Sequence, residues 1–160
     1  YRSTAVSWAI QRRPVLSYLE RCPSEDGPCV VPEGTTARIV MVGNPVLWWS
    51  ALAAVPFALW AAIRRRRRAT VVALGLGAML YVPWLAPNSG YLYYLAPLAP
   101  FAALAVVGVA RGLPGRLGTV APWVVVAAAV AMFGFLAPIW FGWPLDADAT
   151  DARLLLDSWR

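Results

Sequence analysis

Residues 69–110 read ATVVALGLGAMLYVPWLAPNSGYLYYLAPLAPFAALAVVGVA, 42 positions without one charged side chain. As a single helix rising about 1.5 Å per residue, this stretch would run roughly 60 Å, twice the hydrocarbon thickness of a bilayer. Charge is costly in hydrocarbon, so the stretch belongs in lipid, and its length makes it fold back. The place is marked by Pro87, Asn88, Ser89 and Gly90, residues that form turns and end helices. Two spans result, 69–86 and 91–110.

Outward from this stretch lie two more uncharged intervals, 39–63 and 117–145, of 25 and 29 residues. They place spans near 45–63 and 119–141, with Pro45 and Pro122 in first turns, where an amide hydrogen is not needed. The expected architecture is all-α integral membrane. An extracytoplasmic loop with a short surface helix covers 1–44, and a four-helix transmembrane domain with an extracytoplasmic tail covers 45–160. Composition points the same way: 60% of the 160 residues are hydrophobic and 14% charged, against roughly 45–50% and a quarter in soluble domains. Eight acids and fourteen bases are too few to make a polar shell for a water-soluble core of this size.

All fourteen bases are arginine, with no lysine and no histidine, and the net charge is +6. Arg64 to Arg68 form one block between two apolar runs, and Arg111 with Arg116 form another. Short arginine-bearing loops stay on the cytoplasmic side. That rule places the 87–90 turn, the segment before Gly43 and the tail after Trp143 outside. The blocks read as membrane-side charge and not as a nucleic-acid face, which would spread its bases among polar residues. Asp146, Asp148, Asp151 and Asp157 all fall in the tail, with the spacing of a solvated acidic face. Trp48, Trp49, Tyr81, Trp84, Tyr91, Tyr93, Tyr94, Trp140 and Trp143 gather at the outer ends of the spans, whereas Trp60 and Trp123 mark the inner ones. Such an excess suits an interfacial belt or the lining of an outward-facing cavity.

The outside loop carries Arg2, Arg12, Arg13, Arg21 and Arg38 together with Glu20, Glu25, Asp26 and Glu33. From Thr4 to Leu19 the apolar residues follow an irregular helical spacing, with Trp8, Val15, Leu16 and Leu19 able to rest on a membrane surface. Cys22 and Cys29 bracket six residues rich in turn formers, a loop that a disulfide would close in an oxidising compartment. Two cysteines without histidine fall short of a structural zinc site, so no metal is expected. No cofactor is implied, and neither a phosphate-cradling glycine loop nor a serine elbow is present. The chain opens at Tyr1 on a polar stretch without initiator methionine or signal peptide, which reads as the downstream part of a longer protein.

Four groups of residues then occur in a telling order. Tyr1, Ser3, Trp8, Arg13 and Pro14 come first; Gly43, Asn44, Pro45, Trp48 and Trp49 follow. Tyr81, Pro83 and Trp84 precede Tyr91, Tyr93, Tyr94 and Pro97, and Leu156, Ser158 and Trp159 close the chain. Together they resemble the C-terminal four-helix region of protein O-mannosyltransferases, in a bacterial form with arginine in place of lysine. Ala5 and Ala9 stand where that family has a tryptophan and a proline, and Asn88, Ser89 and Gly90 replace a commonly basic residue.

The resemblance implies the C-terminal part of a GT-C-type glycosyltransferase in the cell membrane, moving mannose from polyprenyl-phosphate mannose to serine or threonine of exported proteins. Its partners would be that donor, the exported acceptor protein, membrane lipids and the rest of the full-length chain, with no nucleic acid. It implies substrate-binding roles for Tyr1, Ser3, Trp8, Arg13, Asn44, Tyr91 and Tyr94. A guanidinium at Arg13 or Arg2 matches phosphate oxygens in a forked geometry, and lipid headgroups would suit the same groups. The carboxylate base that activates the acceptor hydroxyl lies upstream in that family, so no catalytic residue is expected in this chain, and this fragment alone should be inactive. A non-enzymatic membrane scaffold or transporter subunit, or a transferase using another lipid-linked sugar, are the competing readings.

Overall fold

The computed structural model describes residues 3–22, 28, 30–65, 68–86 and 90–160. Among them, a short helix α1 (Ala5–Ala9) is followed by strands β1 (Val15–Arg21) and β2 (Thr36–Met41). Helices α2 (Pro45–Arg65), α3 (Arg68–Tyr81), α4 (Ala99–Ala110), α5 (Leu117–Phe141) and α6 (Ala147–Arg153) complete the order. Tight 3-10 turns extend α3 over Val82–Leu85, lead into α4 over Leu92–Leu98 and close the chain over Asp157–Trp159. Pro83 and Pro97 lie in the first two of these turns, where a missing amide hydrogen and a fixed φ turn α-helix into a tighter coil.

Among the described residues, three helical stretches are long and apolar enough to cross a membrane: Pro45–Arg64, Leu92–Ala110 and Leu117–Phe141, of 20, 19 and 25 residues. Thr70–Leu85 is apolar but shorter. The helix α5 begins earlier than the span expected at 119–141, which puts Pro122 in its second turn instead of its first. Between α2 and α4 the packed residues are small, Ala51 and Ala54 against Ala102 and Val106, which lets the backbones approach closely.

The N-terminal segment differs from the expected loop with a surface helix, and the fold is mostly helical where all-α was expected. Helix α1 is only five residues long, and β1 pairs antiparallel with β2 from Val15↔Met41 to Arg21↔Thr36, with an irregularity between Leu16 and Tyr18. Pro14 cannot continue a helix, and Thr36, Ile39 and Val40 favour the pleated partner strand that the irregular spacing of residues 15–21 leaves open. This hairpin lies on the end of α5. Val40 packs with the fully buried Leu136 and Ile139, flanked by Leu16, Trp140 and Leu145. A two-way bridge between Thr36 and Leu145 (2.8 and 3.1 Å) ties the hairpin to the tail.

Candidate functional site

Whereas Trp140 and Trp143 pair with Phe133 and Phe141, part of the aromatic set at the hairpin-bearing end assembles around Trp8. Helix α1 delivers this indole, 1% exposed, into a cluster with Ala5, Leu92 and Leu95. Its Nε1 donates to Ser3 Oγ at 2.9 Å. Ser3 in turn exchanges backbone hydrogen bonds with Gly90, at 3.0 and 2.9 Å. The exchange requires glycine there, because a Cβ on Gly90 would lie 2.6 Å from the Trp8 ring. Trp84 and Tyr94 stack on each other at 4.4 Å, and each meets Trp8 at 6.1 Å. Tyr91 stacks on Tyr93 at 5.3 Å, and Tyr93 meets Tyr94 edge-on at 4.8 Å. The Tyr81 hydroxyl donates to the Ala5 carbonyl at 2.7 Å, clamping α1 to the end of α3. Tilted and stacked ring pairs of this kind add about 0.5–1.5 kcal/mol each to the area they bury.

A second set of bonds centres on Gln11, which the sequence did not single out. It is 1% exposed and has a left-handed backbone, φ 58°. Its N–H donates to the Trp8 carbonyl at 2.9 Å, its Oε1 accepts from the Gly43 N–H at 2.7 Å, and its carbonyl accepts from Trp159 Nε1 at 2.6 Å. Gly43 is fixed by space, since a Cβ there would collide with the Trp48 indole. Asn44 follows. Its Oδ1 accepts from the N–H groups of Val46 and Leu47 (3.1 and 3.4 Å), capping α2, and its amide donates to the Ala129 carbonyl in α5 at 2.8 Å.

Of the residues expected to bind substrate, Ser3, Trp8, Tyr91 and Tyr94 come together in one cluster. Asn44 sits apart at the α2–α5 contact with its polar atoms engaged in the fold. Arg13 is exposed immediately after the Gln11 turn. Tyr1 and Arg2 lie outside the described residues. Cys22 is buried with Val31 and Ala37 and is disulfide-bonded; Cys29 lies outside the described residues. The signal for Gln11 was nearly invisible in sequence, whereas Trp159 belonged to the closing leucine-x-serine-tryptophan.

The cluster offers flat aromatic faces and hydroxyls and, among its described residues, no carboxylate to move a proton. Beneath it an apolar groove of about 410 Å³ runs between α2, α3 and α4, lined at its upper end by Ala9, Trp48 and Tyr81 and lower down by Leu74 and Phe101. A second groove of about 390 Å³ shares Leu74 and Phe101 and continues toward Gly112 and Leu113 at the other end of the bundle. On the hairpin, burial and then Arg21 lower the Arg38 guanidinium below its ordinary pKa, with Asp151 opposing. Asp146 caps α6 through the Ala149 N–H, so this tail aspartate serves the fold.

The chain matches, over residues 1–159, the family described as the C-terminal four TMM region of protein-O-mannosyltransferase. A polyprenol-phosphate-mannose–protein mannosyltransferase of Corynebacterium glutamicum is 27% identical over 96% of this chain and 31% of the relative. One of Mycobacterium tuberculosis is 29% identical over 100% of this chain and 32% of the relative. The chain thus spans about a third of the length of the curated relatives it matches. The solved Saccharomyces cerevisiae protein O-mannosyltransferase Pmt1-Pmt2 complex bound to the sugar donor shares the fold, with a TM-score of 0.67 at 17% identity, over 100% of this chain and 24% of that one.

Proposed function

The chain belongs to the protein O-mannosyltransferase family, and on that premise we propose that it is the C-terminal membrane part of an enzyme moving mannose from a polyprenyl phosphate to serine or threonine of exported proteins. The end-to-end family match carries this reading. The carboxylate that takes the acceptor proton is then supplied by upstream chain, and this part contributes the donor-side surface. The aromatic cluster of Ser3, Trp8, Tyr91 and Tyr94 packs the face against which substrate lies. Arg13 pairs with the donor phosphate as a forked cation.

Four crossings and their orientation are part of the proposal. The bonds of Gln11 to Trp159 and of Thr36 to Leu145 support both ends of the chain lying on one side, with an even number of crossings between them. With three full-length spans, Thr70–Leu85 is the fourth. Its 16 residues cover roughly 24 Å as helix, a shortfall that local thinning of the bilayer absorbs. Arginine bias puts Arg64, Arg111 and Arg116 in the cytoplasm and the cluster outside, in the cell membrane.

Transfer of labelled mannose from polyprenyl-phosphate mannose to a serine- and threonine-bearing peptide tests the activity. The full-length protein in membranes should transfer, and residues 1–160 alone should not; turnover by the fragment would place the base within this chain. A cysteine introduced at Ser89 should react with an impermeant thiol reagent from outside intact cells.

A further inference from the structure

We propose that Trp159 and Gln11 form a latch that positions Arg12 and Arg13 toward the phosphate of the lipid-linked donor, an inference that rests on the transferase reading. The first ground is the backbone. A residue with a Cβ seldom adopts a left-handed φ, and where a chain keeps one the surroundings hold it there. Glycine would fit φ 58° more easily but has no side chain to accept the Gly43 N–H. Asparagine tolerates the conformation but is one methylene shorter. Glutamine supplies both the turn and the acceptor, at 2.7 Å from Gly43 N.

The second ground is what the indole of Trp159 fastens. The tail is already anchored without it. Thr36 and Leu145 bridge it to the hairpin, and the Arg153 guanidinium donates through Nε to the Phe135 carbonyl at 2.9 Å and lies 5.2 Å over the Phe135 ring. The 2.6 Å bond from Trp159 Nε1 to the Gln11 carbonyl, buried at 5% exposure of the indole, therefore secures the loop to the tail. On the other side of the turn the Arg12 N–H donates to the Ser7 carbonyl at 3.1 Å, and Pro14 is buried. Arg12 and Arg13 are thus exposed guanidinia held between fixed points. A preoriented cation loses less freedom when it captures a phosphate, so the latch acts on donor affinity and leaves the chemical step alone.

The test uses the full-length protein in membranes with two variants of conserved bulk, Trp159→Phe, which keeps a buried ring without the donor, and Gln11→Met, which removes the side-chain acceptor. Each should raise the KM for polyprenyl-phosphate mannose about tenfold, the value of one buried hydrogen bond, with kcat and acceptor KM changed less than about twofold. Hydrogen exchange at residues 11–13 should quicken in both variants. An unchanged donor KM, or a fall in kcat alone, would overturn the latch. Exchange separates this outcome from failure of the transferase reading. If the unsubstituted protein transfers no mannose, the reading fails, yet faster exchange in Trp159→Phe still supports the latch and unchanged exchange overturns it.

Discussion

The two ends of the bundle carry the same residue types in opposite settings. At the hairpin-bearing end, Trp8 and Trp159 are 1% and 5% exposed, and each indole N–H has a protein acceptor. At the other end Trp60 and Trp123 are 55% and 70% exposed. Arginine divides likewise. Among the described residues, Arg64, Arg111 and Arg116 lie at the far end without an acid beside them, while Arg12, Arg13, Arg21, Arg38, Arg153 and Arg160 share the hairpin-bearing end with Glu20, Glu33, Asp146, Asp148, Asp151 and Asp157. The difference teaches what each end is for. Buried indoles with protein acceptors hold loops against one another, whereas exposed tryptophan beside unbalanced arginine suits a membrane surface.

The sharpest way to break this comparison is to remove one indole from each end. Trp8→Ala deletes the ring on which Trp84 and Tyr94 lean and leaves Ser3 Oγ without its donor. It should destabilise the full-length protein by about 3–5 kcal/mol, read by thermal unfolding in detergent. Trp123→Ala should change stability by no more than about 0.5 kcal/mol. Equal losses would mean that the exposed indole is packed by upstream chain and that the ends do not differ in kind.

A smaller effect is expected from Gly43→Ala. The added methyl meets the Trp48 indole, a ring packed against the Trp8 cluster. A cost of about 1–3 kcal/mol follows, as for overpacked sites. Asn44→Ala should cost about 1–2 kcal/mol, by loss of the α2 cap and the bond to Ala129. Asn44→Ser sharpens the assignment, since its hydroxyl can still cap α2 while the reach to Ala129 is lost, and it should recover part of that loss in the same unfolding measurement.

How much of this was legible beforehand depended on whether the governing term was local. The cost of charge in lipid acts residue by residue, so α2 and α5 begin and end within two residues of the spans expected near 45–63 and 119–141. The 3-10 turns around Pro83 and Pro97 were not expected from the sequence, although each proline removes an amide hydrogen that an α-helix would use. The hairpin was not, because β1 makes sense only beside β2, fifteen residues further on, and neither strand alternates cleanly. The gathering of Trp8, Trp84, Tyr91 and Tyr94 was half legible. Sequence put these rings near one end, but the Ser3–Gly90 bridge and the Tyr81–Ala5 bond, both long-range, bring Trp8 against Trp84 and Tyr94. Gln11 carried no signal at all. Its role comes from a left-handed turn and two partners, at 43 and 159, that no window of sequence contains. Asn44 shows the converse, for an asparagine before Pro45 has the chemistry of a helix start, and its Oδ1 caps α2.

The smallest expected effect on stability is also the most direct probe of function. Arg13 and Arg116 are both exposed arginines, and replacing either by glutamine should leave thermal stability within about 0.5 kcal/mol. They part in the assay. Arg13→Gln leaves a shorter polar amide and removes the charge and the guanidinium fork, and should raise the donor KM about fivefold or more with little change in acceptor KM. Arg116→Gln sits at the end assigned to the cytoplasm, away from the donor phosphate, and should leave both constants alone. A rise in donor KM for Arg116→Gln with none for Arg13→Gln would invert the orientation, because the phosphate would then be met at the arginine-only end. The pair therefore tests sidedness and chemistry in one measurement, without disturbing the packing that distinguishes the two ends.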